Sequence, residues 1–367
     1  MKIKTITCHK VYNHGAYLQE YALLKYLEGE GNEAEVINYT PPYLSNHHNL
    51  LNIANPRFGK NILLKVAYLL LKLPNRLLNF RRKWAFDNFE KQHLKSTEEN
   101  YKTNEELKNN PPIADVYICG SDQIWNTFFQ NGKDPAFYLD FVPAGSRKVS
   151  YAASFAIDKI DSDLEPFVAD MVGRLDKVSV RESSGQKILK NLGIESELVL
   201  DPVFLLDKEY WENEFVTPVN DNFIFVYDCD TNPGIEKIVK HAADKYGLKI
   251  FAVNENIKYA DKNFYLKGPE TFLSLIHNAK FIISNSFHAV AFSLIFNKEF
   301  FVVDRSEKIN TRMRDILKLL NLEKLHLGYS EYKEFEENTI NYTDVNTLLY
   351  EMSNSSKTYL KDAIYEV

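Results

Sequence analysis

Cysteine is scarce in this chain: 367 residues hold three, Cys8, Cys119 and Cys229, far apart and with no CxxC pair or Cys/His cluster. That excludes a disulfide framework and a thiolate zinc site, and leaves three reduced, buried thiols as the expectation. Long apolar runs are missing as well. The N-terminal MKIKTITCHKVYNHG has no signal-peptide core, and no uninterrupted apolar span reaches membrane length, so a cytoplasmic protein is expected. There is no basic excess either: 44 Lys plus Arg stand against 50 Asp plus Glu, a net charge of -6. This balance excludes general nucleic-acid binding, and an anionic ligand has to be caught locally. Tandem repeats and low-complexity tracts are absent.

What is present is apolar residue in quantity, 45% of the chain, spread over a length that exceeds one ordinary core. Strand-length apolar runs alternate with helical periodicity from end to end. In the first half the strand-like runs are Ile3 to Thr7, Glu35 to Tyr39, Ala114 to Gly120, Lys148 to Ser154, Lys177 to Arg181 and Glu197 to Leu200, with a helix over Tyr17 to Leu27. After TPVND at 217–221 the pattern restarts with FIFVYD, KIFAVN, KFIIS and EFFVVD, each followed by a helical segment. Such alternation predicts an α/β protein of two doubly wound, Rossmann-type domains facing a cleft, with the ligand outside the carboxyl ends of the strands. The expected division is 1–216 as the first domain, 217–340 as the second, and 341–367 as a C-terminal helix leaning back on the first.

One stretch breaks the acidic average. Residues 57–84, RFGKNILLKVAYLLLKLPNRLLNFRRKW, carry eight basic side chains and no acid. As a helical insertion this is either a core helix with basic ends or a surface that touches an anionic membrane.

Candidate site residues follow the strand ends. Asn13, Gly15 and Gln19 come from the turn and helix after the first strand, where a glycine admits close approach and helix-start amides favour an anion or hydroxyls. The strand ending at Cys119 opens into GSDQIWN, whose Ser121, Asp122, Gln123, Trp125 and Asn126 combine polar groups with a flat ring suited to a sugar. Arg181 follows another strand at a helix start, a local anion trap. In FIISNSFHAVAF, Ser286 caps an apolar helix and His288 falls in its first turn, where it trades protons near neutral pH. Arg312 sits near a later helix start. Each has a plainer reading: an ordinary turn, a core tryptophan, a surface ion pair, a packed histidine, a solvated charge.

The segments NHGAYLQEYAL, GSDQIWN, YAASF, VSVRE, LDPVFL, SNSFHAVAFSLIFNKEF and INTRMRDILKLL, in that order from about Asn13 to Leu320, resemble the polysaccharide pyruvyl transferase family. The resemblance implies a GT-B-like fold and transfer of a pyruvyl group from phosphoenolpyruvate to a sugar hydroxyl pair, forming a ketal on a polysaccharide or lipid-linked oligosaccharide. It also implies His288 as catalytic acid and Arg181 as a contact to the donor. On that reading 1–216 is the acceptor side and 217–340 the donor side, Ser286 and Arg312 join Arg181 around the donor, and the strand-end residues Asn13, Gly15, Gln19, Ser121, Asp122, Gln123, Trp125 and Asn126 surround the acceptor. Phosphoenolpyruvate is then a co-substrate, with no metal or other cofactor expected. Ser286 departs from the family, whose members often carry Arg there; Ala289 and Ala156 stand where Gly is usual. Rival readings are a GT-B glycosyltransferase using a nucleotide sugar and a glycan-binding member without catalysis.

Overall fold

The computed structural model describes residues 1–45, 62–253, 257–307, 309–334, 336 and 340–366, with 62–65 and 67–78 described at backbone level only. The first sheet is built from β1 (Lys2–Ile6), β2 (Glu33–Val36), β3 (Val116–Cys119) and β4 (Arg147–Ser150) in the order β2-β1-β3-β4. A short pair, β5 (Ser179–Val180) and β6 (Glu197–Leu198), continues it through bridges from Val149 to Lys177 and from Ala153 to Val180. The second sheet contains β7 (Phe223–Tyr227), β8 (Lys249–Ala252), β9 (Lys262–Asn263), β10 (Phe281–Ser284), β11 (Glu299–Val303) and β12 (His326–Leu327), ordered β12-β11-β10-β7-β8-β9.

All of these pairings are parallel. The reason is legible in the strands: VYIC, FIFVY and FIIS are buried at every position, so both faces need a covering layer, and helices supply it. This is the doubly wound, two-sheet arrangement expected from the alternation, and the GT-B-like one that the resemblance implies. In each sheet the order reverses beside the first strand, between β1 and β3 and between β7 and β10. The crevices at those reversals, at the carboxyl ends, are where such sheets take ligands.

The two halves share one apolar cluster, which runs from Tyr17 and Tyr21 through Trp211 to Phe272 and Phe292. A single helix, Ile62–His93, carries residues 62–84 of the basic stretch, while 57–61 lie outside the described residues. Arg82 is no surface charge: it is buried, and its guanidinium donates to the carbonyls of Tyr12 and Tyr265, tying both halves together. Val66, Phe80 and Trp84 on the same helix are exposed. The C-terminal helix Tyr342–Tyr365 packs against the first sheet, with Arg147 Nε donating to Ala363 O at 2.6 Å and Tyr359 Oη to Ser150 O at 3.0 Å. Among the described residues, no helix is long and apolar enough to cross a membrane.

Candidate functional site

Both switch points open into one cleft of about 500 Å³. Cys8 and Asn13 reach it from the end of β1, Asp122 and Gln123 from β3, Cys229 from β7, and Asn285 to His288 from β10. Arg305 and Arg312 line it from beyond β11. Two helix N-termini therefore converge on the same space. The helix His14–Gly29 is capped by Asn13, whose Oδ1 accepts from the amides of Gly15 and Ala16, which is why it begins three residues before the apolar periodicity does. The helix Phe287–Ile295 starts at Ser286 without any side-chain cap, so its first amides keep their donors for a ligand.

His288 is the centre of the arrangement. Its Nε2 is buried without a hydrogen-bond partner, 3.8 Å from Asp201 Oδ2. Burial pulls the imidazole down to about 4; Asp201 opposes that and Arg181 reinforces it, so at neutral pH the ring is uncharged. The ring lies directly on the backbone of Gly15. A Cβ there would meet His288 Nδ1 at 1.9 Å and Cγ at 2.1 Å, so this position has room only for glycine. Gly15 therefore seats the imidazole.

Arg181 and Arg312 divide the roles that the sequence gave to both. Arg181 has no exposed side-chain surface; its Nη1 pairs with Asp201 and donates to Ser121 Oγ at 3.2 Å, and its Nη2 lies 3.4 Å from Asp122 Oδ1. It is an internal counter-ion for Asp201 and Asp122 beneath the cleft. Arg312 lines the cleft itself, with Nη1 a loose 3.8 Å from Asp122 Oδ1 and a buried Nε that has no partner. Burial, with Arg181 nearby, pulls it down to about 10, as befits a cation short of counter-charge. Asp122 is the converse case: burial would raise its carboxyl, but Arg181, His288 and Arg312 outweigh that and hold it below the usual range. Its backbone sits at φ 70, a left-handed turn that delivers the carboxylate to this cluster.

The predicted acceptor residues separate. Asn13, Asp122 and Gln123 line the cleft. Gln19 is fully buried, donating to Thr7 Oγ1 at 3.1 Å and Ala16 O at 3.0 Å, and Ser121 donates to Asp201 Oδ2 at 2.9 Å within the core. Trp125 is buried as well: its ring stacks on Tyr138 at 5.6 Å and its Nε1 donates to Phe137 O, so its face is spent on packing. Asn126 closes the loop, donating to Gln123 Oε1 at 2.8 Å. The cysteines are free, Cys8 and Cys119 buried, Cys229 half-buried; burial raises the Cys8 thiol and pushes Cys229 to about 11, so neither cleft thiol is a ready nucleophile. Among the described residues no group of three or more His, Cys, Asp or Glu is placed to hold a metal ion.

Sequence reasoning missed Asp201, and took Glu182 only as a surface partner of Arg181. Asp201 is the second residue of LDPVFL, where its Oδ1 caps the turn by accepting from Val203 N. Glu182 is buried and accepts from Ser154 Oγ and the amides of Phe155 and Ala156, bracing the floor under Arg181. A carboxylate next to an apolar run was the available signal for each.

No curated protein matches the chain. Among solved structures, UDP-N-acetylglucosamine 2-epimerase from Rickettsia bellii aligns over 99% of this chain and 97% of its own, at 11% identity and a TM-score of 0.48. The E. coli ADP-heptose lipopolysaccharide heptosyltransferase II aligns over 97% and 100%, at 13% identity and a TM-score of 0.36. The family profile described as polysaccharide pyruvyl transferase matches residues 13–307, the span from the Asn13 cap past His288 to just beyond β11. With four-fifths of its length inside that match, the chain belongs to the polysaccharide pyruvyl transferase family.

Proposed function

We propose that the protein transfers the pyruvyl group of phosphoenolpyruvate to two hydroxyls of one sugar in a cell-surface polysaccharide or its lipid-linked precursor, giving a cyclic ketal and inorganic phosphate. The observation that carries this reading is a neutral imidazole, His288, set beside an under-neutralised cation, Arg312, at an uncapped helix N-terminus. The donor brings a carboxylate and a phosphate. Arg312, Arg305 and the first amides of Phe287–Ile295 neutralise them, and the same negative charge raises the proton affinity of His288. The imidazolium then protonates the methylene carbon, one hydroxyl adds to the resulting cationic carbon and returns its proton to the imidazole, and the second displaces phosphate, its proton leaving with the phosphate. Proton transfer of this kind contributes roughly 10²- to 10⁴-fold. Ser286 leaves the cleft without the arginine common in the family, and Arg312, from the helix Thr311–Leu319, supplies a cation in the same cavity. The scheme calls for no metal or nucleotide.

The test is release of phosphate from phosphoenolpyruvate in the presence of a sugar acceptor. Activity that vanishes in His288→Ala supports the scheme; undiminished release in that variant refutes the role of His288. Stabilisation by a nucleoside diphosphate in place of phosphoenolpyruvate would move the reading to nucleotide-sugar transfer. For a lipid-linked acceptor, the exposed Val66, Phe80, Arg81 and Trp84 on Ile62–His93 form a contact with an anionic membrane surface. Flotation with anionic vesicles should be salt-sensitive and should fall when Phe80 and Trp84 are both replaced by Ser.

A further inference from the structure

The lining of the cleft is of two kinds. Asp122, Arg305 and Arg312 bring charge, with His288 among them, while Tyr43, Leu44, Gln123, Phe129, Gln130 and Asn131 bring none. Trp125, the ring expected to face a sugar, is buried, yet the loop that follows it leaves Phe128 70% and Phe129 45% exposed. Exposed phenylalanines on a floppy loop would mean little. This loop is braced.

Phe128 N donates to Asn126 Oδ1 and Phe129 N to Asn126 O, each at 3.0 Å. Asn131, itself buried, donates through Nδ2 to Gln123 O. Gly132 lies so close that a Cβ on it would come within 2.3 Å of the Asn126 carbonyl. Tyr43, in the same lining, is fixed by its hydroxyl, which donates to Asp134 Oδ2 at 2.6 Å. The loop thus presents a half-exposed Phe129 from a braced frame. Beside it, the Gln130 carboxamide and Gln123 Nε2 make no hydrogen bond among the described residues.

We propose that Phe129 is the stacking platform of the acceptor subsite, taking the C–H face of a neutral pyranose ring, with Gln123 and Gln130 reading its hydroxyls and Tyr43 bounding the subsite. A pyranose presents weakly positive C–H bonds on one face and hydroxyls around its rim, which matches the negative face of an aromatic ring flanked by amides. The uncharged lining residues around Phe129 suit a neutral ring, and Arg305 and Arg312 suit the anionic donor. The proposal rests on the pyruvyl-transfer reading for what those arginines hold, but sugar binding at Phe129 is measurable without turnover.

Saturation-transfer NMR tests it with methyl β-D-galactoside, methyl β-D-glucoside, methyl α-D-mannoside and their N-acetylated analogues on the full chain. At least one pyranoside should receive saturation on its ring protons from the wild-type protein, lose it in Phe129→Ala, and regain it in Phe129→Tyr; Phe129 is exposed, so neither variant threatens the fold. In the transfer assay Phe129→Ala should raise acceptor KM by about tenfold and leave the KM for phosphoenolpyruvate unchanged. Equal saturation in wild type and Phe129→Ala, or none in wild type, overturns the platform. Loss of saturation in Phe129→Ala together with no phosphate release from phosphoenolpyruvate in any variant would keep the platform and overturn pyruvyl transfer.

Discussion

Replacing Gly15 by Ala puts the reasoning about His288 under direct strain. Position 15 is the second residue of a helix and has no left-handed φ, so by backbone preference alone alanine is the better residue, by up to about 1 kcal/mol. Against that gain, the new methyl would sit 1.9 Å from His288 Nδ1, where ordinary contact begins at 3.4 Å. The imidazole must retreat by the difference, 1.5 Å, and overpacking of this kind costs about 1–3 kcal/mol. The two terms leave Gly15→Ala between about neutral and about 2 kcal/mol less stable, a folded protein. Its chemistry should suffer far more, because misplacing a catalytic group by about 1 Å costs on the order of 10²-fold in rate. The assay pairs urea unfolding with steady-state phosphate release. A variant that folds, binds phosphoenolpyruvate with near-normal KM and turns over about a hundredfold more slowly supports the seat. Full kcat in a folded Gly15→Ala protein would refute it, since the ring would then be either free to relocate or irrelevant.

Acid stability should report the same imidazole. The folded His288 titrates at about 4, under the joint influence of burial, Asp201, Arg181, Asp122 and Arg312, while the unfolded residue titrates near 6.5. Between those values the unfolded chain binds a proton that the folded one refuses, so stability falls as pH drops from about 6.5 to 4, by about 3 kcal/mol from this residue; urea midpoints of His288→Gln should lack that share of the decline. Asp201→Asn leaves the buried Arg181 without its principal partner and should cost about 3–5 kcal/mol in urea unfolding, with activity lost alongside. Arg312→Gln removes a cation that has no close partner, so thermal stability should hold while the KM for phosphoenolpyruvate rises by about tenfold or more; an unchanged KM would remove Arg312 from the donor site.

Much of the fold was legible because its strands are continuous apolar runs punctuated by helix caps. FIFVY, FIIS and EFFVV appear in the structure within a residue of where periodicity put them, and the helix after FIIS starts at Phe287 as read. Edge elements were not. β9 and β12 are two residues each and carry polar or mixed side chains, since an edge strand has one neighbour to satisfy and little to bury. Ile62–His93 runs as one helix through Pro74, which local rules would break.

At the site, the sequence by itself determined the inventory: a histidine in the first turn of an apolar helix, arginines past strand ends, an aromatic and amide-rich loop after β3, and the order of segments that marks the family. Those features are local, or ordered along the chain, and so can be read from it. What only the tertiary structure decided is which groups face one another. Asp201, eighty residues beyond Ser121 and eighty-seven before His288, neutralises Arg181 and stands beside the imidazole; Trp125 turns inward while Phe129, four residues on, turns outward; and Gly15, from the other half of the molecule, seats the ring of His288. Each is set by a close approach between segments distant in sequence or by the twist of one loop, and neither leaves a trace in composition or period.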